Sequence, residues 1–133
     1  MYFTEHMTGQ ERVSTIYEQG APTGIRILVK NPTLGMSLSR IEDFYVEYDG
    51  VRYPAQTLSL KLRGVTYSAQ LMQTLATVRW EFGEEAELTV PRPGGLGTIG
   101  NHRMEVAIGF RMGFENIQWR KKQFLVSAIG ETL

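Results

Sequence analysis

Apolar and polar residues alternate along most of this chain, and the dominant period is two. In Thr57-Leu58-Ser59-Leu60-Lys61-Leu62-Arg63 the leucines share one side of an extended backbone and the polar residues the other. Successive side chains of a strand point to opposite faces, so this pattern predicts a half-buried strand. His102 to Met112 repeats it at greater length, with Met104, Val106, Ile108, Phe110 and Met112 on one face and Arg103, Glu105, Ala107, Gly109 and Arg111 on the other. Ala86, Leu88 and Val90 oppose Glu87 and Thr89, while Phe44, Val46 and Tyr48 oppose Tyr45 and Glu47. The pattern predicts about eight strands, near 11–18, 24–30, 44–48, 51–53, 57–62, 76–80, 85–90 and 102–112.

The punctuation between these runs is that of antiparallel structure. Asp49-Gly50 is a strong hairpin signal, because both central residues of a type I′ turn need φ > 0. Arg63-Gly64 and Glu81-Phe82-Gly83-Glu84 separate further pairs of runs. The prolines and glycines from Pro91 to Gly100 form a long connection that cannot be regular strand. One short helical turn is expected at Ser68 to Thr74, with Ser68 as cap and Leu71, Met72 and Leu75 packing. The fold class is therefore all-β: an antiparallel two-sheet β-sandwich, jelly-roll-like, with at most one short helix. Residues 1–133 read as a single domain with a core over about 11–112. The segment 113–133 reads two ways. Phe124 to Ile129 is continuously apolar and suits a last, buried strand, or an arm that docks on a partner.

Composition narrows the function. Lys+Arg and Asp+Glu are 14 each, for a net charge of zero. A nucleic-acid binder normally carries a basic excess. There is no cysteine, which removes disulfides, a thiol nucleophile and thiolate metal sites, and suits a reducing cytoplasm. The start, Met1-Tyr2-Phe3-Thr4-Glu5-His6, lacks the basic and apolar regions of a signal peptide. No run approaches the ~18 apolar residues of a membrane span.

Catalytic constellations are sparse. His6 and His102 are the two histidines, and a zinc site needs three or four spaced ligands. A triad of His102 with Ser37, Ser39 or Asp43 has nothing in the sequence to assemble it. Glu42-Asp43 are adjacent, so on a strand they point apart and cannot flank one bond; capping or bonding a turn backbone explains them better, and Glu84-Glu85 likewise. Pro93-Gly94-Gly95-Leu96-Gly97 lacks the Gly-Lys-Ser/Thr ending and following helix of a phosphate loop. Its glycines supply φ > 0 and room for close backbone approach, including that of a partner. Trp80 beside Arg79 reads equally as an interface anchor or a core tryptophan. Arg111 suits a cross-strand pair with a carboxylate.

Four segments, in order, resemble one family. They are Leu38-Ser39-Arg40-Ile41-Glu42-Asp43-Phe44-Tyr45-Val46-Glu47-Tyr48-Asp49-Gly50, then Arg79-Trp80-Glu81-Phe82-Gly83, then Pro93-Gly94-Gly95-Leu96 with Gly100-Asn101-His102, then Arg111 with Gly113-Phe114. The stretch from about 24 to 114 is similar to the small (beta) subunit of bacterial C-glycoside deglycosidases. The resemblance implies an accessory role in a carbon–carbon lyase, without activity of the chain alone. It implies a partner: a large barrel-type subunit that holds a divalent metal, typically manganese, and the acid/base residues. The implied substrate is a 3-oxo-C-glycoside, cleaved by β-elimination. Trp80, Phe82, Gly94, Gly95, Leu96 and His102 are the candidate partner-facing or functional edge, with no catalytic residue, metal ligand or cofactor expected in this chain. A stand-alone carbohydrate-binding or protein-interaction module is the alternative.

Overall fold

The computed structural model describes residues 4–113 and 116–129. Eleven strands are present among them: β1 (Val13–Glu18), β2 (Ala21–Lys30), β3 (Met36–Ser37), β4 (Ile41–Tyr48), β5 (Val51–Pro54), β6 (Ser59–Leu62), β7 (Val65–Ser68), β8 (Arg79–Trp80), β9 (Glu85–Pro91), β10 (Gly100–Arg111) and β11 (Ile117–Ala128). They form an antiparallel five-stranded sheet, β1-β2-β9-β6-β7, a four-stranded sheet, β11-β10-β4-β5, and a two-stranded pair, β3-β8. The fold is all-β and consistent with a sandwich. No helix among the described residues is long and apolar enough to cross a membrane.

The alternation read from the sequence sets the inner faces. Ile25, Ile27 and Val29 of β2, Leu60 and Leu62 of β6, and Ala86, Leu88 and Val90 of β9 come from the larger sheet. Phe44, Val46 and Tyr48 of β4 and Met104, Val106, Ile108 and Phe110 of β10 come from the smaller one, and all join one buried cluster. Hydrophobic burial fixes the register of such strands, because a slip of one residue would turn the whole apolar row to solvent.

Asp49 and Gly50 take φ of 50° and 82°, and Arg63 and Gly64 take 49° and 84°. These are the positive values a tight hairpin needs. Gln19-Gly20 makes a third such turn (φ 53° and 82°) that the sequence reading passes over. α1 (Ala69–Met72) follows Ser68, whose Oγ accepts from the Leu71 amide at 3.1 Å. Met72 is buried there, but Leu71 is exposed, so only part of the expected packing face exists.

Two differences concern strand count and length, and the tail takes one of its two expected forms. The expected strand at 76–80 shrinks to β8, paired only with β3; two residues leave no periodic signal. β7 is a separate strand, hairpinned to β6. The segment after 113 contains a last strand: β11 pairs with β10 along twelve residues, from Arg111↔Ile117 to Gly100↔Ala128. Its apolar run is not buried on both faces. Val126 and Ala128 enter the core while Leu125 stays exposed, as an edge strand with one covered face requires.

Candidate functional site

The segments that carry the family resemblance collect at opposite ends of β4 and β10. At one end, the Asp49-Gly50 turn meets the glycine-rich connection. The His102 ring stacks on Tyr48, with centroids 5.3 Å apart and planes 16° from parallel. Its Nδ1 lies 2.5 Å from Asp49 Oδ2 and its Nε2 lies 2.7 Å from the Thr98 carbonyl. Both ring nitrogens thus face acceptors, an arrangement that favours the doubly protonated ring. The Asp49 hydrogen bond and the Thr98 carbonyl raise the His102 pKa above its ordinary value, against partial burial. Burial pushes the Asp49 carboxyl up, but the His102 hydrogen bond and the Arg103 amide outweigh it and hold the group low. With neither nitrogen free, the imidazole is built to hold rather than to abstract a proton.

The loop itself is held from within. Tyr48 donates its hydroxyl to the Leu96 carbonyl at 2.7 Å, and the Leu96 amide donates to Thr15 Oγ1 at 3.1 Å. Arg92 donates to the Gly95 carbonyl and sits 4.9 Å from the Tyr48 ring centre. Gly95 has φ of 58°, and a Cβ there would collide with the Thr15 side chain. The close approach that this glycine serves is therefore internal.

The other end gathers the 31–42 stretch, the β8 turn and the end of β10. Asn31, 1% exposed, is its tie-point. Its Nδ2 donates to the Trp80 carbonyl at 2.9 Å and to that of Leu34 at 3.2 Å, while its Oδ1 accepts from the Thr33 amide at 3.0 Å. Gly83 donates to the Asn31 carbonyl at 2.9 Å. Trp80 lies in the core, tilted against Phe110, and its indole N–H donates to the Glu84 carbonyl at 2.7 Å. Arg63 bonds the Arg79 carbonyl at 2.9 Å and Glu84 Oε2 at 2.5 Å. The turn is thus fixed on several sides, with Phe82 at its tip, 53% exposed.

A β-bulge shapes the same end. Gly109 pairs with Asp43 and Phe110 with Ile41, which leaves Glu42 unopposed on β4. Glu42 pairs instead with Arg111, the cross-strand ion pair expected for that arginine. Asp43 Oδ1 accepts from the next amide, Phe44 N, at 2.9 Å. Glu84 bonds Arg63 and the Glu81 amide, and Glu85 pairs with Arg12. Ser37 and Ser39 contact each other at 3.0 Å beside the start of β4, whereas His102 bonds Asp49 at its far end, so no triad forms among them.

A third cluster covers the outer face of the smaller sheet. Tyr45 is only 6% exposed despite pointing away from the core. Trp119 of β11 lies against it, with centroids 5.7 Å apart, and the Arg52 guanidinium sits 3.8 Å above its ring. The Tyr45 hydroxyl donates to Glu105 at 2.5 Å. Burial and this bond raise the tyrosine pKa, and the same bond lowers that of Glu105. Gly109, opposite Trp119, leaves room for the indole to lie on β10, since a Cβ there would come within 3.2 Å of the ring. Small residues at alternate outward positions of a long strand are the signal that could have revealed this cluster.

Of the six candidate residues, the structure thus places Trp80 and Leu96 in the core and Gly95 against Thr15. Gly94 is partly covered, His102 is tied to Asp49, and Phe82 is displayed. Trp80 and Phe82 lie at one end; the other four lie together at the opposite end. Among the described residues no group of three or more His, Cys, Asp or Glu stands together to hold a metal.

Fold and sites define an all-β sandwich domain with its motif residues organised into two rigid ends, a form that suits an assembly component. The chain belongs to the C-glycoside deglycosidase beta subunit family, whose model matches residues 3–114. Family membership makes it part of an enzyme complex. Curated proteins give no match.

Proposed function

We propose that this chain is the accessory small subunit of a C-glycoside deglycosidase and supports carbon–carbon bond cleavage carried out in a larger, barrel-type subunit. The family match across residues 3–114 is the observation that carries this reading. The proposed substrate is a C-glycoside already oxidised at the sugar 3-position. The ketone acidifies the neighbouring C–H, a base removes that proton, and the aglycone carbon leaves with the bonding pair and takes up a proton. The products are an anhydro-keto sugar and a free phenolic aglycone. A C–C bond offers no leaving oxygen to protonate, so ordinary glycosidase chemistry does not serve.

A divalent metal, manganese in this proposal, would supply electrostatic stabilisation of the enolate from the large subunit. No residue of this chain is proposed as a metal ligand. The chain's proposed work is packing beside the mouth of the partner's active site, holding its loops and excluding water. Phe82 would face the partner, while Trp80, Gly94, Gly95, Leu96 and His102 hold the shape of the two ends. A reducing cytoplasm is the proposed location, consistent with the cysteine-free sequence.

The experiment is co-expression with a metal-dependent barrel subunit, followed by an assay on a 3-oxo-C-glycoside. The expected result is a stoichiometric complex that turns over, and no turnover by this chain alone. Separate purification of the two chains with a fully active barrel would overturn the reading. A stand-alone carbohydrate-binding module would instead retain a glycan by itself; in this chain, however, Tyr45 of the outer-face aromatic pair is almost wholly covered.

A further inference from the structure

Beside the Phe82 turn lies a hollow of about 360 Å³, lined in part by Leu34, Arg40, Arg79, Arg111 and Met112. An adjoining hollow shares Arg40 and Arg111. Three guanidinium groups from three separate elements line this space, and none of the lining residues among those described is a carboxylate. Glu81 and Glu42 pair with Arg79 and Arg111, and the Glu81 carboxylate lies against Gly35 of the lining, which leaves Arg40 as the cation of the hollow without a described carboxylate. A guanidinium has five N–H donors, so one carboxylate contact leaves others available. Arg40 is exposed and makes no hydrogen bond or ion pair among the described residues. The apolar part of the lining includes Leu34, which is 70% exposed, and Met112.

Charge complementarity selects the occupant. Arginine forks match carboxylates in geometry as well as charge. Arginine and methionine beside a displayed aliphatic side chain suit an interface. A nucleic acid would require a basic excess, and the chain has none. The geometry points to a docking site in which a carboxylate-bearing segment of the large catalytic subunit enters the Arg40–Arg79–Arg111 hollow, with Leu34 and Met112 against its apolar flank. This assignment rests on the subunit reading above.

The test uses the co-expressed complex and reads its dissociation constant as a function of sodium chloride. Arg40→Gln is the lead variant, since Arg40 supports no described contact, and Arg40→Gln/Arg79→Gln is the stronger one. Both are expected to unfold at the wild-type temperature. The double variant should bind the large subunit about tenfold or more weakly at low salt, and its salt dependence should be shallower. Arg40→Lys should recover only part of the loss, because an ammonium lacks the fork. Lys61→Gln, on the exposed side of β6, should change nothing.

A complex whose affinity and salt dependence ignore Arg40 and Arg79 overturns the docking site and leaves the subunit reading intact. No complex with the wild-type chain overturns both. Loss of self-association in Arg40→Gln, with the heteromeric complex unchanged, would assign the hollow to a second copy and overturn the proposal. Loss of stabilisation by sulfate, again with the complex unchanged, would assign it to a small anion, with the same consequence.

Discussion

The two ends of the sandwich use similar residue types in opposite ways. At the glycine-rich end, the ring and guanidinium groups find their partners within the chain: His102 with Asp49 and Thr98, Tyr48 with Leu96, Arg92 with Gly95. At the arginine end, Asn31, Arg63 and the Trp80 indole fix the backbone, yet Arg40 has no partner among the described residues and Leu34 is exposed. Satisfied groups hold a shape, whereas charged and apolar groups held in place without internal partners are available for binding. A motif residue can therefore serve its family at either end, through geometry at one and through contact at the other.

That contrast can be broken most forcefully at Trp80. Trp80→Ala should cost about 3–5 kcal/mol of stability, as truncation of a buried aromatic does, because its side chain is 1% exposed. Chemical denaturation measures this, and a loss below ~1 kcal/mol would mean the tryptophan is not a core residue. Gly95→Ala comes next. Its positive φ and the clash with Thr15 should together cost about 2 kcal/mol or more. Gly94→Ala, at φ of 90° with open space around it, should cost only the strain of about 1–2 kcal/mol. Equal losses at the two glycines would show that the loop is not clamped on β1.

Tyr48→Phe keeps the ring that stacks on His102 but strands the Leu96 carbonyl. A loss of about 1–2 kcal/mol is expected, with a downward shift of the denaturation midpoint.

The Asp49–His102 pair predicts a pH profile. His102 has its folded pKa raised from 6.5, so its contribution is complete below that value and fades as pH rises through the folded pKa. Asp49 has its pKa lowered from 3.8, so its contribution is present above that value and fades on acidification. The clamp should be strongest between about pH 4 and 6.5. The Asp49 side chain is 41% exposed, so solvent screening limits the effect to below ~1 kcal/mol. His102→Gln should remove the alkaline slope from thermal melts taken upward from about pH 6.5; an unchanged slope would place the titration elsewhere. Smallest of all is Arg40→Gln, expected to stay within about 0.5 kcal/mol of wild type in stability, in contrast to its effect on docking.

Much of the frame was legible because burial enforces a period of two. The inner rows of β2, β4, β9 and β10, the Asp49-Gly50 hairpin and the Ser68 cap follow from residue pattern and local turn chemistry alone. β8 fell within the strand expected at 76–80, but β3 and its pairing with β8 were not legible, since two residues carry no period and their partner lies far along the chain. Nor could Trp80 be assigned, because an indole suits a core and an interface equally. The burial of Tyr45 stayed hidden as well: an outward position on β4 predicts exposure until Trp119, distant in sequence, folds over it.

The sequence by itself determined the all-β class, the faces of the long strands and the absence of a thiol or a recognisable metal-ligand spacing. These are local or compositional properties, set by alternation, by φ requirements and by which side chains exist. Only the tertiary structure decided that the tail adds a last strand, that Gly95 yields to Thr15 rather than to a partner, and that Arg40, Arg79 and Arg111 share one hollow. Each of these depends on residues far apart in the chain being brought together, and strand order, which brings them there, leaves no mark in the local pattern.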